Sequence, residues 1–129
     1  MKTIIAVFLF ILMCFTFFAQ PIPIDSLYLG QVPPGYEPKI FVLPINGSFR
    51  PIERITISSD RKEIYFSQLN GYGNPLNVTK IHCYKYFDNM WQGPTELFNG
   101  YAAPALSPND SILFMQATIT YDRAETYYS

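Results

Sequence analysis

Three hydrophobic patterns follow one another along this chain. Residues 4–19 form an apolar or near-neutral run interrupted by Thr16, residues 21–51 carry short apolar stretches cut by prolines, and from Glu53 onward apolar and polar positions alternate. Such alternation places every second side chain on one face of an extended chain, the signature of a half-buried β-strand. Residues 53–57 and 63–68 are therefore predicted strands, joined as a hairpin through the polar turn Ser58-Ser59-Asp60-Arg61-Lys62. Asn70-Gly71-Tyr72-Gly73-Asn74-Pro75 reads as a loop and residues 79–87 as a third strand. Asp88-Asn89-Met90-Trp91-Gln92-Gly93-Pro94 is expected to turn the chain before a short fourth strand over residues 95–98. Ahead of these, Pro33-Pro34-Gly35, Pro38, Pro44 and Asn46-Gly47 leave residues 39–43 as the one credible strand of an irregular lead-in, residues 21–52.

The apolar run follows a positive start, Met1-Lys2-Thr3, spans 16 residues and is stopped by Gln20-Pro21-Ile22-Pro23. A bilayer core takes about 20 residues of helix, so the layout predicts a secretory signal peptide over residues 1–20, cleaved near Ala19 or Gln20. Phe17 sits where signal peptidase takes a small residue, which keeps an uncleaved membrane anchor open as the alternative. Lipid attachment at Cys14 is disfavoured because Met13 is too large for that processing site. After cleavage Cys83 would have no intramolecular partner, and its place in an alternating segment suits a buried thiol acting as a small apolar side chain.

Composition agrees with the strand pattern. The chain beyond residue 20 is rich in Tyr, Phe, Ile and Pro, which favours strands and Pro- or Gly-bearing turns and hence an all-β fold. A formal net charge of −1 with scattered Lys and Arg lacks the electrostatic footprint of a nucleic-acid binder. No run of like charges argues for an acidic tail or a polybasic membrane anchor.

The hairpin pattern recurs. Laying Ile57-Ser58-Ser59-Asp60-Arg61-Lys62-Glu63-Ile64-Tyr65-Phe66 over Leu106-Ser107-Pro108-Asn109-Asp110-Ser111-Ile112-Leu113-Phe114-Met115 needs no gap and gives an offset of 49 residues. Self-similarity of this kind marks a repeat architecture. Ser58-Ser59-Asp60-Arg61 and Ser107-Pro108-Asn109-Asp110, each followed by an aliphatic-aromatic strand, resemble the Ser-Pro-Asp-Gly turns of the TolB-like, WD40-like β-propeller repeats of exported bacterial proteins. Trp91-Gln92-Gly93-Pro94 resembles that family's aromatic turn ahead of the outermost strand. Tyr28-Leu29-Gly30-Gln31-Val32-Pro33-Pro34-Gly35, with Pro38-Lys39-Ile40-Phe41, looks like the segment that precedes its first blade.

The resemblance covers roughly residues 28–121. It implies antiparallel, four-stranded propeller-type blades: a first blade over residues 53–98, a partial second blade over residues 102–129, and so an incomplete β-propeller, because rings close from about four to eight blades. Residues 125–129 fall where a third strand of the second blade should begin. Arg61 and Asp110 stand where the family has Gly, leaving the backbone type of the two turns open. Unclosed blades carry unpaired strand edges, so the chain is expected to be part of a longer protein or to associate.

Candidate chemistry is sparse. His82 is the single histidine, and no Ser-His-Asp order, HExxH, GxSxG or phosphate-cradling glycine loop is present, so His82 is expected to be a hydrogen-bonded strand residue sharing a face with Tyr84 and Tyr86. Asp60, Asn109, Asp110, Asp88 and Asn89 are expected to bond their own turns, since Asx side chains do this readily and no metal-loop spacing connects them. Tyr72, Tyr84, Tyr86, Trp91 and Tyr101 are expected to pack between sheets; joint exposure on one surface would instead suit sugar stacking. Asn46, Asn77 and Asn109 begin short glycosylation sequons to which no role is given.

No catalytic residue, cofactor or metal is predicted, and no binding residue is singled out. The expected function is an exported, periplasmic or extracellular, non-catalytic binding or scaffolding module with a protein or peptide partner. Self-association through open strand edges is a further expectation, with membrane contact only through an uncleaved signal segment. The alternatives are a glycan-binding protein and a truncated accessory propeller of a larger hydrolase.

Overall fold

A computed structural model describes residues 21–45, 50–69, 79–120 and 123–129. The predicted signal segment, Cys14, the loop at residues 70–75 with Tyr72, and Asn46 and Asn77 lie outside the described residues. Seven strands form among the described residues: β1 Arg50–Ile57, β2 Glu63–Leu69, β3 Thr79–Phe87, β4 Met90–Asn99, β5 Ala102–Leu106, β6 Leu113–Thr120 and β7 Arg123–Tyr128. They make two antiparallel sheets in meander order, β1-β2-β3-β4 and β5-β6-β7, and neither sheet is closed. The remaining regular structure among the described residues is one helical turn at Leu27–Gly30, with Tyr28 and Leu29 in left-handed conformation.

Two predicted elements differ from the structure. Trp91, Gln92, Gly93 and Pro94 do not turn the chain; they belong to β4, which begins at Met90. Asp88 and Asn89 make the reversal in two residues, both at positive φ (52° and 60°), a conformation that Asx side chains tolerate well and that matches the twist of paired strands. Pro94 is accommodated because β4 is an edge strand, where a missing N–H costs no ladder bond on the open side. Register shifts between Ile81 and His82 and between Cys83 and Lys85 absorb the extra residues of β4. Gly93, at φ 123°, lies so close to β3 that a Cβ would stand 2.7 Å from the Cys83 carbonyl oxygen.

The second difference is in the lead-in, where residues 39–43 form no strand. The segment keeps the in-and-out alternation of one, with Phe41, Leu43 and Ile45 turned to the core, but its neighbour is a single side chain. The Gln31 amide accepts from the Val42 N–H at 2.9 Å and donates to the Val42 carbonyl at 2.7 Å, supplying the pair of bonds that an adjacent strand would give. Pro38 and Pro44, which cannot donate, bracket the stretch and stop the pattern from spreading.

Period-two alternation then sorts the sheet residues into layers. One face of the first sheet carries Ile64, Phe66 and Tyr84, covered by Leu43 with Leu29, Phe41 and Ile45 of the lead-in. The opposite face carries Tyr65, Ile81 and Cys83, which pack with Leu113 and Met115 of the second sheet. The order is thus lead-in, first sheet, second sheet. Small residues let β5 approach closely: Ala102, Ala103 and Pro104 are all buried. A register shift between Ala102 and Ala105 frees the Ala103 N–H, which donates at 2.8 Å to the fully buried hydroxyl of Ser67.

Candidate functional site

The two turns that suggested a repeat have the same internal wiring. Ser58 and Ser107 each close their turn by donating a backbone N–H to the carbonyl five residues on, Glu63 (3.0 Å) and Ile112 (2.9 Å). Each serine hydroxyl donates to the Asx oxygen two residues later, Asp60 at 2.7 Å and Asn109 at 2.8 Å. Those oxygens accept the backbone N–H of Lys62 (3.0 Å) and Ser111 (3.3 Å). Arg61 and Asp110, in place of glycine, adopt φ 63° and 56°, so the turn type survives with L-residues held in the left-handed region. Burial tends to raise the Asp60 carboxyl, but the Ser58 hydroxyl, with the amide and charge of Lys62, holds it below its ordinary value.

Asp110 departs from the local role expected of it. Its carboxylate accepts from both the backbone N–H (2.7 Å) and the hydroxyl of Ser59, 51 residues earlier, and so ties one repeat turn to the other. The ends of the two sheets are thereby clasped along the same side of the molecule. Beside the clasp lies a cleft of about 240 Å³ lined by Tyr65, Leu97, Phe98, Leu106, Leu113 and Ser129 among others.

The other candidate residues are absorbed by packing. His82 stacks on Phe66 (5.7 Å between centroids), as does Tyr84 (5.9 Å), giving a ring column on the face turned to the lead-in. The expected hydrogen bond is missing on one side: the buried His82 Nδ1 has no partner among the described residues. Burial lowers the His82 pKa, with the Glu96 charge and the Lys80 backbone opposing the shift and the Lys80 charge adding to it. Burial pushes the Cys83 thiol up to about 11, so it is protonated and unreactive at neutral pH. Among the described residues no group of three or more His, Cys, Asp or Glu is placed to hold a metal ion.

The aromatic residues do not share one exposed surface. Trp91 is half-buried, meets Tyr86 edge-on at 5.4 Å, and donates its indole N–H to the Ser26 carbonyl at 2.7 Å, pinning the lead-in to β4. Tyr84 donates its hydroxyl to the Pro44 carbonyl, a second pin. Tyr101 packs edge-on against Phe98 and Tyr127 between the sheets. Three long-range contacts were not foreseen from sequence: Gln31 on Val42, Ser67 on Ala103, and Asp110 on Ser59. The 49-residue offset, which sets the two turns in register, is the one feature that pointed to the last of them.

Among the described residues apolar side chains are exposed at several places, two of them on opposite sides of the layer stack. On the lead-in, Val32, Ile40 and Val42 are exposed around a recess of about 210 Å³ lined by Tyr28, Gln31, Pro33, Pro34, Lys39, Phe41 and Ile57 with Val32 and Ile40. On the second sheet, Phe114 and Tyr128 face outward as a tilted pair 6.5 Å apart. Among the described residues no helix is long and apolar enough to cross a membrane. No family model, curated protein or solved structure matches the chain.

Proposed function

We propose that the chain is an exported, non-catalytic binding or scaffolding module of propeller type, offering its blade surfaces and turn ends to a protein or peptide partner. The observation that carries this reading is the stacking of two repeat-related antiparallel sheets whose turns share one hydrogen-bond pattern at a 49-residue offset. Stacked sheets that expose turns and edges present binding surfaces without needing a reactive group. The polar groups that sequence made candidates for chemistry are engaged in turns or buried in the core, which suits recognition better than catalysis. The glycan-binding alternative needs Trp91 on an exposed platform, and its indole is instead committed to Ser26.

Export and partner binding are tested together in the cells that make the protein. A photo-crosslinking residue is placed at Asn89 in the β3–β4 turn or at Thr126 in β7, and the compartment and intact mass of every adduct are measured. The expected result is a processed chain outside the cytoplasm carrying a discrete, saturable protein adduct at one of these positions. A cytoplasmic chain retaining Met1, or an exported chain with no saturable adduct at either position, overturns the reading.

A further inference from the structure

We propose that the β3–β4 turn lies on a lipid bilayer, with Phe87 and Met90 inserted among zwitterionic headgroups beside the point where the chain leaves its apolar N-terminal run. Phe87 and Met90 are cross-strand partners on either side of the two-residue reversal at Asp88 and Asn89, and they are 69 % and 58 % exposed. Single exposed apolar residues are ordinary on a protein surface, whereas two at the tip of one hairpin make a wedge. One rung behind them Tyr86 pairs with Trp91, and the two rings meet edge-on at 5.4 Å. Apolar side chains at a tip with Tyr and Trp directly behind match the layering of a membrane interface, where these two ring types sit at headgroup level.

What brings a bilayer to this turn is the lead-in. The Trp91 indole N–H donates to the Ser26 carbonyl at 2.7 Å, so the lead-in starts against the rung just behind the tip. Ile24, two residues before Ser26, is 79 % exposed and adds a third apolar side chain from a separate element. The apolar run ends at residue 19, and the chain from there to Ser26 spans at most about 25 Å. Residues 4–19 enter a bilayer under either expectation for them, until cleavage as a signal or permanently as an anchor. For as long as the chain keeps that run, the tip stays within reach of the lipid surface that holds it. Charge selects the lipid: Asp25 and Asp88 adjoin Ile24 and Phe87, so attraction to anionic headgroups is not the source of the contact, and a zwitterionic surface suits it. The contact adds to the one expected through residues 1–20 and does not depend on which protein partner the processed module binds.

The test uses the full chain, residues 1–129, made by cell-free synthesis in the presence of phosphatidylcholine vesicles so that the apolar run is kept. Trp91, the single tryptophan, reports the depth of the tip. Its emission is compared in vesicles whose lipid carries bromine either near the headgroup or near the end of the acyl chain. The parent chain is expected to float with the vesicles and to show quenched Trp91 emission, more from the shallow bromine than from the deep one. Phe87→Ser combined with Met90→Ser should float equally, since the run is intact, and should lose at least about half of that quenching, because interfacial contact scales with the apolar area inserted. Phe87→Leu combined with Met90→Leu keeps the apolar area and should restore it. The replaced side chains are exposed, so Trp91 emission in bromine-free vesicles should keep the intensity of the parent and so report an intact fold. A parent chain that does not float, a floated chain with unquenched Trp91, a serine pair quenched as fully as the parent, or a leucine pair that fails to restore quenching overturns the proposal.

Discussion

The two sheets are built from the same pattern, yet they sit in different surroundings. In the first, the Ile64 and Phe66 face is closed by the lead-in and the Tyr65 face by the second sheet. In the second, Leu113 and Met115 are buried against the first sheet, while the equivalent of Tyr65, Phe114, looks outward. Alternation decides which residues share a face, and it decides this equally in both sheets. What lies over a face is settled by the rest of the chain. Here the lead-in does for the first sheet what a preceding sheet would do, using Leu29, Phe41, Leu43 and Ile45 and the pins from Trp91 and Tyr84.

The largest expected effect separates these two environments at matched positions. Tyr65→Ala removes a packed aromatic ring and should cost about 3–5 kcal/mol, whereas Phe114→Ala should cost less than about 1 kcal/mol in dilute solution. Urea unfolding midpoints at unchanged slope measure both. Equal losses would break the comparison, because they would mean that the outer face of the second sheet is covered even in the isolated chain.

A smaller effect is expected where the sheets join. Ser67→Ala leaves the buried Ala103 N–H without an acceptor, which costs about 1–3 kcal/mol. Ser67→Cys, close in size and a weaker acceptor, should fall between the parent and the alanine variant. Chemical denaturation with hydrogen exchange at Ala103 reads the result. A full-strength junction after Ser67→Ala would show that apolar contact alone holds the second sheet to the first.

Much of this architecture could be read in the sequence, for a definite reason. Strands β1, β2 and β3 announce themselves through short runs of β-branched and aromatic residues bounded by turn signals, although β2 is buried on both faces and its Ile64-Tyr65-Phe66 run does not alternate. The repeat turns are visible because Ser and Asx act on their own backbone within a few residues. Composition misled where turn-forming residues sit in a strand: Gly93 and Pro94 suggested a turn, but the left-handed pair Asp88-Asn89 had already reversed the chain. The contacts that join layers could not be read, because alternation assigns a face without naming what covers it. Gln31 posing as a strand, and Asp110 reaching Ser59, become visible only once the layers are stacked. No binding residue was legible, and the exposure of the second sheet's outer face emerged only from comparing Tyr65 with Phe114 in space.

The smallest expected effect concerns pH and belongs to the first sheet, which holds the single histidine. Burial lowers the His82 pKa from its ordinary value of 6.5, so the folded chain keeps the ring neutral where the unfolded chain begins to protonate it. Between the lowered folded value and 6.5 the unfolded state binds more protons, and stability therefore rises with pH in that window. The contribution is fully present above 6.5 and is lost as pH falls through the window. Glu96, paired across the strands with His82, and the Lys80 backbone limit the shift, while the Lys80 charge adds to it. Asp60 acts in the same direction but only near and below its ordinary value of 3.8, so the two windows do not overlap. Urea midpoints for the parent chain should fall from pH 7 to pH 5, and His82→Gln should flatten that slope while leaving the steeper loss near pH 3 in place. A slope unchanged by His82→Gln would mean that the ring column on Phe66 accepts a charged imidazole at no cost, and that the unpartnered Nδ1 finds water when the proton arrives.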